Sequence, residues 1–287
     1  MQRQKQITIS GIPEISAIYF ALLQCGYDYC FLGREKEHAD CCRKFAGTAA
    51  VPDFFSATKQ STCEVYPYWP RAAILETATF YLSADHLRFR GYDDFRQRIV
   101  SATNIESNEK DADLWAWLND FPAALSEVLG NEAFHAYMEW EKSWICGQNV
   151  EHADELRMLQ KCLDVCASQY DSPVRDIRVV VNPIKCIYSA DYHLAGESFV
   201  FSSGIYRADS VIHEFLHHVV RPLIASLSDT VLKNKRFFPE LDDSYYMAGD
   251  DEGYLNAFEE HAVRELTGRI LANDYPASLV DFLKRLT

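Results

Sequence analysis

The five residues His213-Glu214-Phe215-Leu216-His217 constrain this chain more than any other feature. On an α-helix, residues four apart stand one above the other on the same face. His213 and His217 can therefore offer two imidazoles to one metal ion. Glu214 is turned about 100° from His213, which directs its carboxylate to a metal-bound water rather than to the metal. Two neutral nitrogens and one further ligand leave Zn²⁺ with an open position for water. The ion lowers the pKa of that water to about 7, and a carboxylate can take its proton as it attacks a carbonyl. The neighbours Val211, Ile212, Phe215, Leu216, Val219 and Val220 make the segment apolar almost all round, the pattern of a buried helix. The plain alternative is a surface helix with three incidental polar residues. A buried helix, however, rarely carries an unpaired Glu.

Such a site needs a third protein ligand, and spacing sorts the options. A metzincin would continue with Gly and a third His. Here His218-Val219-Val220-Arg221-Pro222-Leu223 follows, with neither in place. The other arrangement takes a Glu from a later helix. Residues 254–272 hold one Gly and no Pro, and place Leu255, Phe258, Ala262, Leu266 and Ile270 at helical spacing. That helix offers Glu259 and Glu260, which point about 100° apart, so only one should reach the metal. Burial alone favours Glu259, near the centre of the apolar stripe. A ligand facing a cleft belongs on the stripe's flank, which favours Glu260. His218 and His261 point away from the proposed ligands and are read as bystanders or supporting groups.

The His-Glu-x-x-His with a distant Glu resembles the gluzincin group of zinc metallopeptidases. More narrowly, three pieces resemble a family of bacterial zincin-like proteins grouped as a domain of unknown function. They are Val180-Val181-Asn182-Pro183-Ile184, then His213 to Leu223, then Glu260-His261-Ala262-Val263-Arg264. The family pattern is a strand ending in an Asn-Pro turn, H-E-F-x-H-x-x-V-N-P-L, and E-x-x-V-R-A. The resemblance implies a metallopeptidase-like fold over residues 175–275 and implies Glu260 as the third ligand, because Val263-Arg264 then fall in register. Arg221 stands where the family has Asn, and Glu265 where it has Ala.

Composition narrows the remaining classes. A length of 287 residues allows one large or two modest domains, and 48% hydrophobic with 24% charged residues is an ordinary globular balance. A net charge of -14 argues against nucleic acid or an anionic membrane as the main partner, since both need basic patches. Met1-Gln2-Arg3-Gln4-Lys5-Gln6 does not read as a secretory signal, and no apolar run approaches a membrane span. The expected location is cytoplasmic, with the nine cysteines reduced. Cys162 and Cys166 lie one helical turn apart without a matching second pair, so core packing is the better reading.

The expected fold class is α+β: a helical region over residues 1–170, packed on a zincin-like region over residues 171–287 with a small sheet, as two regions or one continuous unit. Pro13 and Gly26 bracket a first helix. Further helices are expected at 71–84, 91–102, 113–129, 131–146 and 152–169, with Pro122 breaking or kinking the third. Strands are expected at 177–181, 184–188 and 198–202. An outer edge strand beside the site could pair with an extended peptide. Asp209 is expected to cap the metal-site helix, and 225–253 to be a loop-rich connector. Tyr245 or Tyr246 in that connector could act as an oxyanion donor. The expected function is a zinc metallopeptidase acting on a peptide or protein, with Zn²⁺ on His213, His217 and Glu260 and with Glu214 as base. The rival readings are a zincin-like protein that binds zinc or peptide without turnover, and a helical interaction protein.

Overall fold

In the computed structural model, which describes residues 6–28, 31–57, 71–91, 93–97, 112–235 and 251–287, the valine run 179–181 lies at the centre of a four-stranded sheet. The strands are β1 (Ile9–Ser10), β2 (Asp176–Val181), β3 (Asp191–Ala195) and β4 (Ser198–Ser203), in the order β1-β2-β4-β3. The β1-β2 and β2-β4 pairs are parallel, and β3 runs antiparallel to β4 at one edge. Successive strand residues face opposite sides of a sheet. Val179, Val181, Phe199 and Phe201 therefore enter one apolar cluster, and Val180 and Val200 enter another. A sheet buried on both faces reads as an unbroken apolar run, which is why β2 carries three valines in a row. Mainly helical, with this one small sheet, the chain is mixed α/β and consistent with the α+β class.

The helices are α1 (Pro13–Gln24), α2 (Lys36–Arg43), α3 (Arg71–Thr79), α4 (Ala112–Asn119), α5 (Phe121–Leu129), α6 (Glu132–Glu151), α7 (Ala153–Gln169), α8 (Ala208–Lys233), α9 (Asp251–Leu271) and α10 (Leu279–Leu286). Helices α1, α3, α5 and α6 cover the face of Val180 and Val200. Helices α7 to α10 cover the other face, where Cys162 and Cys166 are buried core residues. Pro122 falls in the first turn of α5 and separates it from α4, since its ring cannot occupy a helix interior without removing a hydrogen bond. Of the expected helix at 91–102, residues 92 and 98–102 lie outside the described set. No described helix is long and apolar enough to cross a membrane.

Three expectations are corrected. Residues 184–188 form turns and not a strand. The Asn182 side chain accepts the amides of Ile184 and Lys185 at 2.9 and 3.1 Å, which curls the backbone out of the sheet. Lys185 then enters the interior. Its Nζ donates to Asp191 at 2.7 Å, Glu76 at 2.8 Å and the Ser202 hydroxyl at 3.2 Å, and Glu76 also meets His193 at 2.9 Å. The first part of 225–253 is also helical. Helix α8 passes Pro222 and runs to Lys233, because Ile224 and Val231 continue its buried stripe beyond the proline. Arg207, not Asp209, is the N-cap of α8. Asp209 lies in the first turn, where its carboxylate accepts the Ser210 amide at 2.8 Å and still favours the positive helix end.

Glu141 on α6 is a fully buried carboxyl whose hydrogen bonds come from Ser16 at 2.7 Å and Asn182 at 3.3 Å. Burial pushes its pKa up to about 7, although the neighbouring Tyr137 and Ser16 hydroxyls oppose the rise. The folded state then holds a proton that the unfolded chain has lost between about pH 4.5 and 7. Stability should therefore fall as pH rises through that window, by up to about 3 kcal/mol from this group. Urea unfolding at pH 5 and pH 8 should show the fall in wild type and a flatter profile in Glu141→Gln. An equal slope in the two proteins would remove Glu141 as its source.

Candidate metal centre

The chain leaves β4 at Ser203, and Gly204 turns it toward α8. A Cβ at Gly204 would lie 2.1 Å from the Lys185 carbonyl oxygen, so only glycine fits there without moving backbone. Helix α8 then carries His213, Glu214 and His217 along one face of the sheet, with Ile212, Phe215, Leu216 and Val220 buried. Helix α9 packs along α8 through Phe258, Ala262, Val263 and Leu266. That packing brings Glu259 and Glu260 to the two histidines.

The two glutamates take different places. Glu260 Oε2 lies 3.4 Å from His213 Nε2 and 3.3 Å from His217 Nε2, and the two Nε2 atoms are 3.1 Å apart. Arg264, one turn on, donates its Nε to the other oxygen of Glu260 at 2.6 Å. Glu259 lies behind His217, where its Oε1 is 2.6 Å from Nδ1, and the Arg221 Nε meets both Glu259 oxygens at 3.1 and 3.0 Å. A hydrogen on Nδ1, assigned from this acceptor, leaves the Nε2 lone pair of His217 directed at His213 and Glu260. Glu259, the alternative donor in the sequence reading, lies outside the cluster of His213, His217 and Glu260 and meets His217 at its other ring nitrogen.

A tetrahedral ion with bonds of about 2.0–2.1 Å holds its donors about 3.3–3.4 Å apart. The separations of 3.1, 3.3 and 3.4 Å match such an edge, and these three residues form a metal-competent group among the described residues. Three lone-pair donors at this range repel one another unless a cation or a shared proton lies between them. His213, His217 and Glu260 therefore fit a zinc ion in number, donor type and spacing.

Electrostatics separate the carboxylates further. Burial pushes Glu214 up to about 7, with Asp191 and Glu260 adding to the rise and the two histidines opposing it. Burial works against charge on His217, but its hydrogen bonds to Glu259 and Glu260 outweigh that and lift the metal-free ring to about 9, so a bound cation would displace a proton from Nε2. The imidazole contacts hold Glu260 well below the usual carboxylate range despite burial. Glu260 therefore stays ionised, while Glu214 changes charge near neutrality.

Tyr192 on β3 was not singled out by the sequence. Its ring lies parallel to that of His217, 6° between planes and 6.4 Å between centroids. Strand alternation would have placed it toward α8 had β3 been recognised. Arg221 has a simpler signal: it is four residues after His217, in line with both histidines. His218 points elsewhere, 3.1 Å from the Ser172 hydroxyl, and His261 and Glu265 are exposed. Tyr245 and Tyr246 lie outside the described residues.

Glu259→Gln tests the orienting contact. An amide can still accept from Nδ1 but carries no charge, and loss of such a partner typically lowers metal affinity by about 10- to 100-fold. Competition against a chelator should show that drop with one zinc still bound at saturation. Unchanged affinity would strip Glu259 of the role.

Comparison of the chain with protein-family models, with curated proteins and with solved structures gives no match. The functional reading therefore rests on the site.

Proposed function

We propose that this protein is a zinc-dependent metallopeptidase of the gluzincin type. The observation that carries the reading is the convergence of His213, His217 and Glu260 at tetrahedral-edge distances, with the half-buried carboxylate of Glu214 close enough to feel both histidines. His213, His217 and Glu260 would hold the ion. When bound, Zn²⁺ supplies Lewis acidity toward a carbonyl and lowers the pKa of water to about 7. Glu214 accepts a proton from the attacking water and passes it to the leaving amine nitrogen. Glu259 and Arg221 hold His217 in the tautomer whose Nε2 is a lone-pair donor.

The substrate side is the β3 edge. Strand β3 has β4 as its one strand partner among the described residues and brings Tyr192 over His217. An extended peptide can add to such an edge by main-chain hydrogen bonds. A quenched-fluorescence peptide library, assayed with protein as purified, after chelation and after zinc return, tests the reading. Cleavage that chelation abolishes and zinc restores supports it. Cleavage indifferent to chelation would exclude it.

A further inference from the structure

Arg221 stands one turn beyond His217, about 6 Å further along the axis of α8. Its Nε is committed to Glu259 at 3.1 and 3.0 Å, while the side chain remains 47% exposed. Among the described residues, Nη1 and Nη2 have no hydrogen-bond partner. A guanidinium carries five N–H donors in a planar fork, so four remain, in an orientation that Glu259 fixes. The Tyr192 phenol on the edge strand, Glu259 and Glu214 all act on the group electrostatically.

We propose that the Nη fork of Arg221 binds a carboxylate of the substrate, which makes the centre selective for acidic peptides. The proposal rests on the metallopeptidase reading and names its substrate class. Planar bidentate pairing with a carboxylate is the contact a guanidinium makes best. Fixing Nε in advance removes much of the side-chain ordering cost on binding. A net charge of -14 repels acidic ligands in general. A half-exposed guanidinium beside the centre supplies the local attraction that the rest of the surface lacks. The carboxylate can come from a peptide C-terminus or from an Asp or Glu side chain.

Hydroxamates chelate zinc without being cleaved, so binding can be read without turnover. Acetohydroxamate, titrated into zinc-loaded protein, reports the metal centre alone. Two matched pairs then read the anion. Succinyl-hydroxamate-alanine as free acid against its amide tests a terminal carboxylate. N-acetylaspartyl hydroxamate against its asparagine counterpart tests a side-chain carboxylate. The acid in at least one pair should bind about 10- to 100-fold more tightly, the range for a hydrogen bond to a charged group. That ratio should collapse toward unity in Arg221→Gln and survive in part in Arg221→Lys, which keeps charge without the fork. Because it is a ratio within one protein, any loss of metal affinity in the variant cancels. Equal binding within both pairs, or a preference that persists in Arg221→Gln, overturns the proposal. Failure of acetohydroxamate to bind zinc-loaded protein is a separate result: the metal reading falls, and the proposal falls with it.

Discussion

Glu214→Gln is expected to keep its zinc and to lose about 10²- to 10⁴-fold in turnover, the usual cost of removing a general base. Glutamine preserves the shape of the side chain but cannot take a proton from water. The residue sits one position after the first histidine, turned about 100° from it, so it is not part of the donor triangle. Its loss should therefore leave the metal count alone. The readout is kcat on a peptide that His217→Ala fails to cleave, together with zinc content. Unchanged turnover in Glu214→Gln on such a peptide would overturn the assignment of the base.

His217→Ala should lose the metal almost completely, and the effect should exceed that of Glu259→Gln. It removes one of three donors and leaves Glu259 and Arg221 paired with nothing to orient. Because the proposed ligands lie on both α8 and α9, zinc would tie the two helices and stabilise the folded chain. Ligand at about 1,000 times its Kd contributes about 4 kcal/mol by mass action. Thermal unfolding of wild type should shift upward with added zinc, and His217→Ala and Glu260→Gln should not respond. An equal shift in all three proteins would place the zinc elsewhere.

What the sequence disclosed about this site follows from local geometry. His213 and His217 could be paired on paper because helix periodicity alone puts them on one face. Glu259 and Glu260 could not be ranked by periodicity, since adjacent residues differ only in which neighbour they meet, and that neighbour is α8. The same limit hid Arg221: its alignment with the histidines was visible, but its partner Glu259 was on another helix. In the sheet, the double-sided burial of Val179, Val180 and Val181 was legible as an unbroken apolar run. Residues 184–188 misled because Ile184, Cys186 and Ile187 look like strand residues, while the turn that displaces them is made by the Asn182 side chain. Strand β3 was missed because Asp191 and His193 mark it as polar. Their partners, Lys185 and Glu76, come from a turn and from α3, and the charges are satisfied only once the chain has folded. The connector expected from residue 225 began too early, because burial of Ile224 and Val231 carries α8 past Pro222 to Lys233.

The central claim is that His213, His217 and Glu260 hold one zinc ion. Metal analysis of protein purified without added zinc, beside the double variant His213→Ala plus His217→Ala, tests it most directly. The account predicts about one Zn²⁺ per wild-type chain, as a His/His/Glu centre implies, and none in the double variant. Stoichiometric zinc retained by the double variant would contradict it.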